Sequence, residues 1–537
     1  KRPLRLDIDT VAAGGARETR FWLHGRLGAE AFPDWLAVPP GMLRGDAAWE
    51  GLLAVTARPQ GGPAGFQLSM TSDLAGMAVH LPPPLAKPAA RRRAFAVRAA
   101  LAKPGALEVR AAYGNLARSV LMFTGLGDRP RLERGELRVR AGEASLPASP
   151  GLHVTAHLER LEWPGSGTLA GGTSAGGALP PWLARIDAHL DEAVIRGYRF
   201  PRLHLHADHG SEALTVAVDG ETLAGRITVP ARPGPRLPVA VELRRLALYR
   251  DPQQRKPASP KDWLDPRTLP PLRLTVQELH LEDRPLGRLS LALNPRRDGV
   301  RLEALALHSD LHDLTVKGDW RSGGHKSQVA VDLRSKAFGK TLQALGYALA
   351  LENGPARVKA ELRWPAPLYA PDLRRLDGQV SLSIGQGRLL NVEPGVGRVM
   401  GLISLQSLSR RLSLDFSDLF DKGLAFDSIQ GTFAIADGNA ETRDLRLEGP
   451  AARIDVSGRI GLSSRDYNQT VIVTPRMSMT LPLAGTLAGG PAVGAALLLA
   501  ERLFKKEIDQ AARYRYTVSG SWDAPVVEPA RGAAGGG

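Results

Sequence analysis

Apolar residues in this chain fall at every second position, run after run, and that habit restricts the fold more than any other feature. Leu272-Arg273-Leu274-Thr275-Val276, Leu289-Ser290-Leu291-Ala292-Leu293 and Leu203-His204-Leu205-His206 each separate apolar from polar side chains when the backbone is extended. A helix would scatter the same residues around its circumference. Turn formers punctuate the runs every 8–14 positions, among them Asp219-Gly220, Asp298-Gly299, Asn353-Gly354 and Asp437-Gly438. That spacing predicts antiparallel meanders rather than βαβ units.

One unit of this pattern repeats. Leu305-x-Leu307 is followed by Leu314-x-Val316-x-Gly318-x-Trp320, and Leu445-x-Leu447 by Ile454-x-Val456-x-Gly458-x-Ile460, with every interval the same. The tail recurs as Leu23-Gly25-Leu27, Leu223-Gly225-Ile227 and Val518-Gly520-Trp522. A strand-turn-strand unit cannot cover its own apolar face and has to stack on neighbours. The glycine predicts a bulge or tight bend, which lets a long sheet curl.

With 537 residues the chain exceeds one compact core unless it is such an array. The absence of cysteine excludes disulfides, thiolate metal sites, iron–sulfur clusters and Cys nucleophiles. A net charge of +15 invites a nucleic-acid reading, but the basic residues stand singly, with Arg91-Arg92-Arg93 and Arg410-Arg411 the densest runs. Aromatics are 5%, too few to interleave a basic patch for base stacking, so no nucleic-acid partner is expected. An anionic membrane surface stays open.

Two stretches read as connections: the Gly/Ser/Ala-rich 164–181, and 251–271 with its six prolines. They suggest segments 1–160, 161–270 and 271–537. Two stretches read as helices. In 397–408, Val399, Met400, Ile403, Leu405 and Leu408 share a helical face. The other begins at Pro491 and carries Val493, Leu497, Leu498, Leu499, Leu503 and Phe504 before Lys505-Lys506. Its apolar part is about 14 residues, roughly 21 Å, too short to span a bilayer. It suits lying in an interface, gating, or packing on the sheet.

Candidate catalytic patterns fail on context. His204-Leu205-His206-Ala207-Asp208-His209 has the H-x-H-x-D-H form of metallo-β-lactamase-type hydrolases. A strand at Ser211–Val218 and the turn Asp219-Gly220 follow it where a helix is needed, so no metal site is expected; a zinc hydrolase is a remote alternative. Gly172-Thr173-Ser174-Ala175-Gly176 matches a nucleophile elbow but lies inside a loop-forming stretch. Asp415, Asp418 and Asp421 lack a partnering base and read as caps. No active site and no cofactor are expected.

In the last third the chain resembles the C-terminal half of the YhdP group of AsmA-like proteins, the large periplasmic relatives of TamB in Gram-negative envelopes. Gly387-Arg388-Leu389-Leu390, Pro394-Gly395-Val396-Gly397-Arg398, Gly401–Leu408, Arg410–Phe416, Gly423–Asp427, Gly449-Pro450-Ala451 and Tyr516–Pro525 carry the likeness. Ser72–Gly76, Leu81–Pro88, Asp265-Pro266 and Leu269–Leu272 look like the same group's central region. The resemblance implies a mostly β fold, an elongated and strongly curled antiparallel groove with a few short helices near the C-terminus. It further implies anchoring in the inner membrane through an N-terminal segment absent from this chain, and phospholipid moving through the periplasm between inner and outer membranes. Envelope proteins are a further kind of partner, and the alternative function is a scaffold for outer-membrane protein assembly. On this reading the groove is lined by Leu272, Leu274, Val276, Leu289, Leu291, Leu293, Leu305, Leu307, Leu314, Val316, Leu445, Leu447, Ile454 and Val456.

Overall fold

The computed structural model describes residues 5–13, 16–28, 42–57, 65–81, 84–126, 130–163, 182–251, 264–347, 351–390, 424–476 and 513–530. Both expected helices, the caps at 415–421 and the 172–176 pattern lie outside them. The chain forms two compact units, Lys1–Trp263 and Leu264–Gly537.

In the first unit β1 (Arg5–Ala13), β2 (Ala16–Gly28), β3 (Leu43–Ala57) and β4 (Gly65–Ser72) run as an antiparallel meander. The short β5 (Met77–Val79) turns back on the start of β3, and β6 (Phe95–Lys103) resumes the ladder beside β4. Then follow β7 (Ala106–Tyr113), β8 (Ala117–Thr124) and β9 (Arg131–Val139), all antiparallel. Next in the ladder are β10 (Gly151–Trp163), β11 (Leu183–Ile195), β12 (Tyr198–His209), β13 (Ala213–Asp219), β14 (Leu223–Pro230) and β15 (Val239–Arg250).

One departure from the expected meander falls here: β10 lies parallel to both β9 and β11. A parallel neighbour needs a connection that returns along the sheet, and residues 140–150 supply one after β9. This crossover is held on the face opposite the apolar alternation. Glu136, 8% exposed, accepts a hydrogen bond from the Ser145 backbone N–H at 2.7 Å, and Arg134 donates to the Pro147 carbonyl at 3.4 Å. On that same face Val120 and Met122 are buried.

The second unit opens with β16 (Leu272–Leu281), β17 (Arg284–Arg296), β18 (Gly299–His308), β19 (His312–Arg321) and β20 (Lys326–Ser335). The single α-helix among the described residues, α1 (Phe338–Ala344), comes next, with Phe338 and Thr341 buried and Thr341 Oγ1 2.9 Å from Ser335 Oγ. The ladder continues through β22 (Ala356–Pro365), β23 (Asp377–Ile384), β26 (Ser428–Ala436), β27 (Asn439–Glu448), β28 (Ala452–Gly461), β29 (Asp466–Pro475), β30 (Tyr514–Ser521) and β31 (Pro525–Pro529). The short β21 (Leu351–Asn353), β24 (Gly387–Leu389) and β25 (Leu424–Phe426) form a separate three-stranded patch.

The sequence repeat is a repeat of register. Leu307 faces Leu314, Leu305 faces Val316 and Leu302 faces Gly318 across β18–β19. Leu447 faces Ile454, Leu445 faces Val456 and Thr442 faces Gly458 across β27–β28. In both pairs the register shifts at the same place, Leu302/Leu305 and Thr442/Leu445, so the bulge expected near the glycine lies in the strand opposite it. The glycine is pressed on the next strand: a Cβ on Gly318 would sit 2.2 Å from the Gln328 carbonyl oxygen, and one on Gly458 2.4 Å from that of Asn468. Gly225 also adjoins a register shift, whereas Gly25 faces Trp49 in regular pairing and Gly520, at φ +85°, sits near the end of β30 between Tyr467 and Pro525.

Candidate functional site

Because side chains alternate across a strand and register carries each pair to the next, the alternation adds up to one continuous face per unit. In the second unit a single row runs Leu274, Leu291, Leu305, Val316, Val331, Ala360, Val380 and Phe433 over eight adjacent strands. At about 4.8 Å per strand the row is about 34 Å long. All but the buried Ala360 are half-exposed, and no charge interrupts it. A parallel row runs Val276, Leu289, Leu307, Leu314, Leu333, Val358 and Leu382. Leu272 and Leu293 begin a third.

All fourteen residues singled out in the sequence as groove candidates therefore fall on this one face. They differ in access. Leu272, Leu274, Leu289, Leu291, Leu293, Leu305, Leu314 and Val316 are half-exposed, whereas Val276, Leu307, Leu445, Leu447, Ile454 and Val456 are buried. Val493, Leu497, Leu498, Leu499, Leu503 and Phe504 lie outside the described residues. Sequence reasoning missed Val331, Leu333, Val358, Val380 and Leu382, although Val329-Ala330-Val331-Asp332-Leu333 shows the same alternation.

The first unit has its own rows. Ile8, Phe21, Leu53, Leu68, Ala99, Val109 and Leu121 line up from β1 to β8. Leu137, Val154, Ile186, Ala207, Val216, Ile227 and Val241 do so from β9 to β15. The parallel strand β10 keeps the face continuous, because its register with both neighbours still matches apolar to apolar.

The opposite faces are charged and paired across strands. Arg446 and Arg453 both bind Asp455, at 2.7 and 2.9 Å; Arg357 binds Asp332 at 2.8 Å. Burial pushes the Asp455 carboxyl up, but the two guanidinium hydrogen bonds outweigh it and hold the group below its ordinary value. Such half-exposed pairs stabilise little, about 0–1 kcal/mol each, and mark the wet side of the sheet. In one place the arginines, dispersed in sequence, do gather. Arg91, Arg92, Arg93, Arg118, Arg138 and Arg140 line a cleft of about 920 Å³ with Glu143 as the one acidic lining residue. The turn between β7 and β8 and the end of β9 bring them together, beside the apolar cluster of Ala117 and Val139 on which Leu85 and Tyr113 pack.

The H-x-H-x-D-H segment lies in β12 and leads through a short turn into β13, not into a helix. Its histidines divide between faces. His204 and His206 point to the charged side, while His209 takes the other and meets the Leu183 carbonyl with Nδ1 at 3.0 Å. The constellation of His204, His206 and His209 needed for the hydrolase reading therefore does not assemble. What does assemble was invisible in sequence: Asp187 on β11 lies 3.2 Å from both His204 Nε2 and His206 Nδ1.

Fold and face together define a class: a repeating β-meander protein with a long apolar sheet face in each unit. Comparison with known proteins agrees with the resemblance seen in the sequence. The chain belongs to the YhdP protein family, which it matches over residues 1–527. It is 25% identical over 560 aligned residues to a protein of Escherichia coli (strain K12) named intermembrane phospholipid transporter YhdP. That match covers 98% of this chain and 42% of the relative, so the chain spans less than half the length of the curated protein it matches. Among the described residues no helix is long and apolar enough to cross a membrane.

Proposed function

We propose that this chain is a segment of a conduit that carries phospholipid between the inner and outer membranes across the periplasm, with the acyl chains riding on the apolar face. The observation that carries the reading is the row from Leu274 to Phe433, eight strands wide and free of charge. Each methylene moved from water onto such a face gains up to about 0.8 kcal/mol, wherever along the row it lies. A chain can therefore slide with little change in energy, which transport requires and tight binding forbids. The name of the E. coli relative supports the same reading. The face recognises tails and not head groups, so it predicts breadth toward lipid species.

Photo-crosslinking residues placed in cells at Leu291 and Val316, both half-exposed on the face, should capture phospholipid. The same probes at Ser290 and Lys317, which point to the opposite face, should not. Leu291→Arg should cost about 1 kcal/mol of stability, since the side chain is only half-buried, yet sharply reduce capture at Val316. Equal capture on both faces, or none on either, would refute the proposal.

A further inference from the structure

The charged face of the first unit carries a cluster that lipid passage does not use. His157 of β10 faces His189 of β11, and His189 faces His204 of β12, so three imidazoles stand in one cross-strand row. The His189 and His204 rings stack with centroids 4.1 Å apart, and His157 meets His189 edge-on at 5.0 Å. In the adjacent row Asp187 faces His206. Asp187 Oδ1 lies 3.2 Å from His204 Nε2 and 3.7 Å from His189 Nδ1. These three donor atoms all lie within 4.8 Å of one another.

We propose that Asp187, His189 and His204 bind one divalent transition-metal ion of the zinc class, which ties β11 to β12 on the outer face. Zinc bonds to nitrogen and oxygen of about 2.0–2.2 Å place tetrahedral ligand atoms about 3.4 Å apart, so two of the three spacings need almost no adjustment. The third closes by rotation of half-exposed side chains, and water takes the fourth position. Around the ligands stands an orienting relay. His206 holds the second oxygen of Asp187 through Nδ1 at 3.2 Å and meets Asp208 Oδ2 through Nε2 at 3.0 Å, while Arg185 binds Asp208 Oδ1 at 2.8 Å. Hydrogen bonds behind a ligating carboxylate hold it in place at metal sites, and this relay does so for Asp187.

The test uses the whole chain, stripped with a chelator and titrated with ZnCl₂ by calorimetry, with Co²⁺ absorption as a second readout. One ion per chain is expected, with a tetrahedral Co²⁺ spectrum and a raised melting temperature that chelator reverses. His204→Gln and His189→Gln should each weaken binding at least tenfold, and His209→Gln should leave it unchanged. The glutamine variants keep side-chain bulk on an exposed face, and their melting without metal should match the parent chain. Absence of stoichiometric binding, or binding untouched by His189→Gln and His204→Gln, would overturn the assignment.

Discussion

Replacing Gly458 by alanine tests whether the repeated glycine is needed to seat one strand on the next. Two costs add. The backbone there has φ +122°, a conformation that costs a residue with a Cβ about 1–3 kcal/mol. The new Cβ would also stand 2.4 Å from the Asn468 carbonyl oxygen and 2.8 Å from Gln469 Cα, so β28 and β29 must separate, an overpacking worth about 1–3 kcal/mol. Together they predict about 2–6 kcal/mol of destabilisation, localised to β27–β29. Two controls in the same unit divide the sum. Gly324 has φ +74° with its nearest neighbour atom 4.0 Å away, so Gly324→Ala meets the backbone cost alone. Gly323 has neither constraint, and Gly323→Ala should be neutral or stabilise by about 0.4–1 kcal/mol through the unfolded chain. Because the array is held neighbour to neighbour, hydrogen exchange read peptide by peptide is the proper assay, with thermal melting as a global check. Exchange should accelerate across residues 452–475 in Gly458→Ala and stay normal in β16–β19. A Gly458→Ala chain that exchanges like Gly323→Ala would refute the steric account of the repeat.

Two further outcomes follow from buried polar groups. His312 is 4% exposed, and burial is the main cause that lowers its pKa from the ordinary histidine value, opposed by Asp313 and aided by His308. The unfolded chain therefore takes up a proton that the fold resists. This contribution is complete above about pH 6.5 and is lost as pH falls through the lowered folded value, so melting at pH 5.5 should come earlier than at pH 7.5, and His312→Gln should flatten part of that slope. Lys87, 2% exposed, donates from Nζ to the carbonyls of Leu74, Arg91 and Pro88 at 2.7, 2.6 and 3.2 Å. Lys87→Met leaves those carbonyls without their donor, which should cost about 2–4 kcal/mol and speed protease cleavage within 73–93. Unchanged cleavage would show that the ammonium does not hold this loop.

Much of the fold was legible because the side of a strand on which a residue falls depends only on its own position. Leu305, Leu307, Leu314 and Val316 announce their common face with no knowledge of their neighbours. The fixed interval to Gly318 and Gly458 reveals the hairpin register too, since a short turn couples two strands that are local in sequence. The same locality made the hydrolase motif misleading. His204 and His209 are close in sequence, but an odd separation along a strand sends them to opposite faces.

Sequence by itself determined the mostly β fold, the alternating face, the repeat and the family likeness, all of which are written in spacings of a few residues. Tertiary structure decided which strands became neighbours. The parallel seating of β10, the arginine cleft drawn from residues 91 to 140, the buried ammonium of Lys87 and the approach of Asp187 to His189 and His204 all depend on register between strands and on the path of the connections. Those are set by the summed burial of the whole face, to which each residue contributes only a small part, and no local pattern records them.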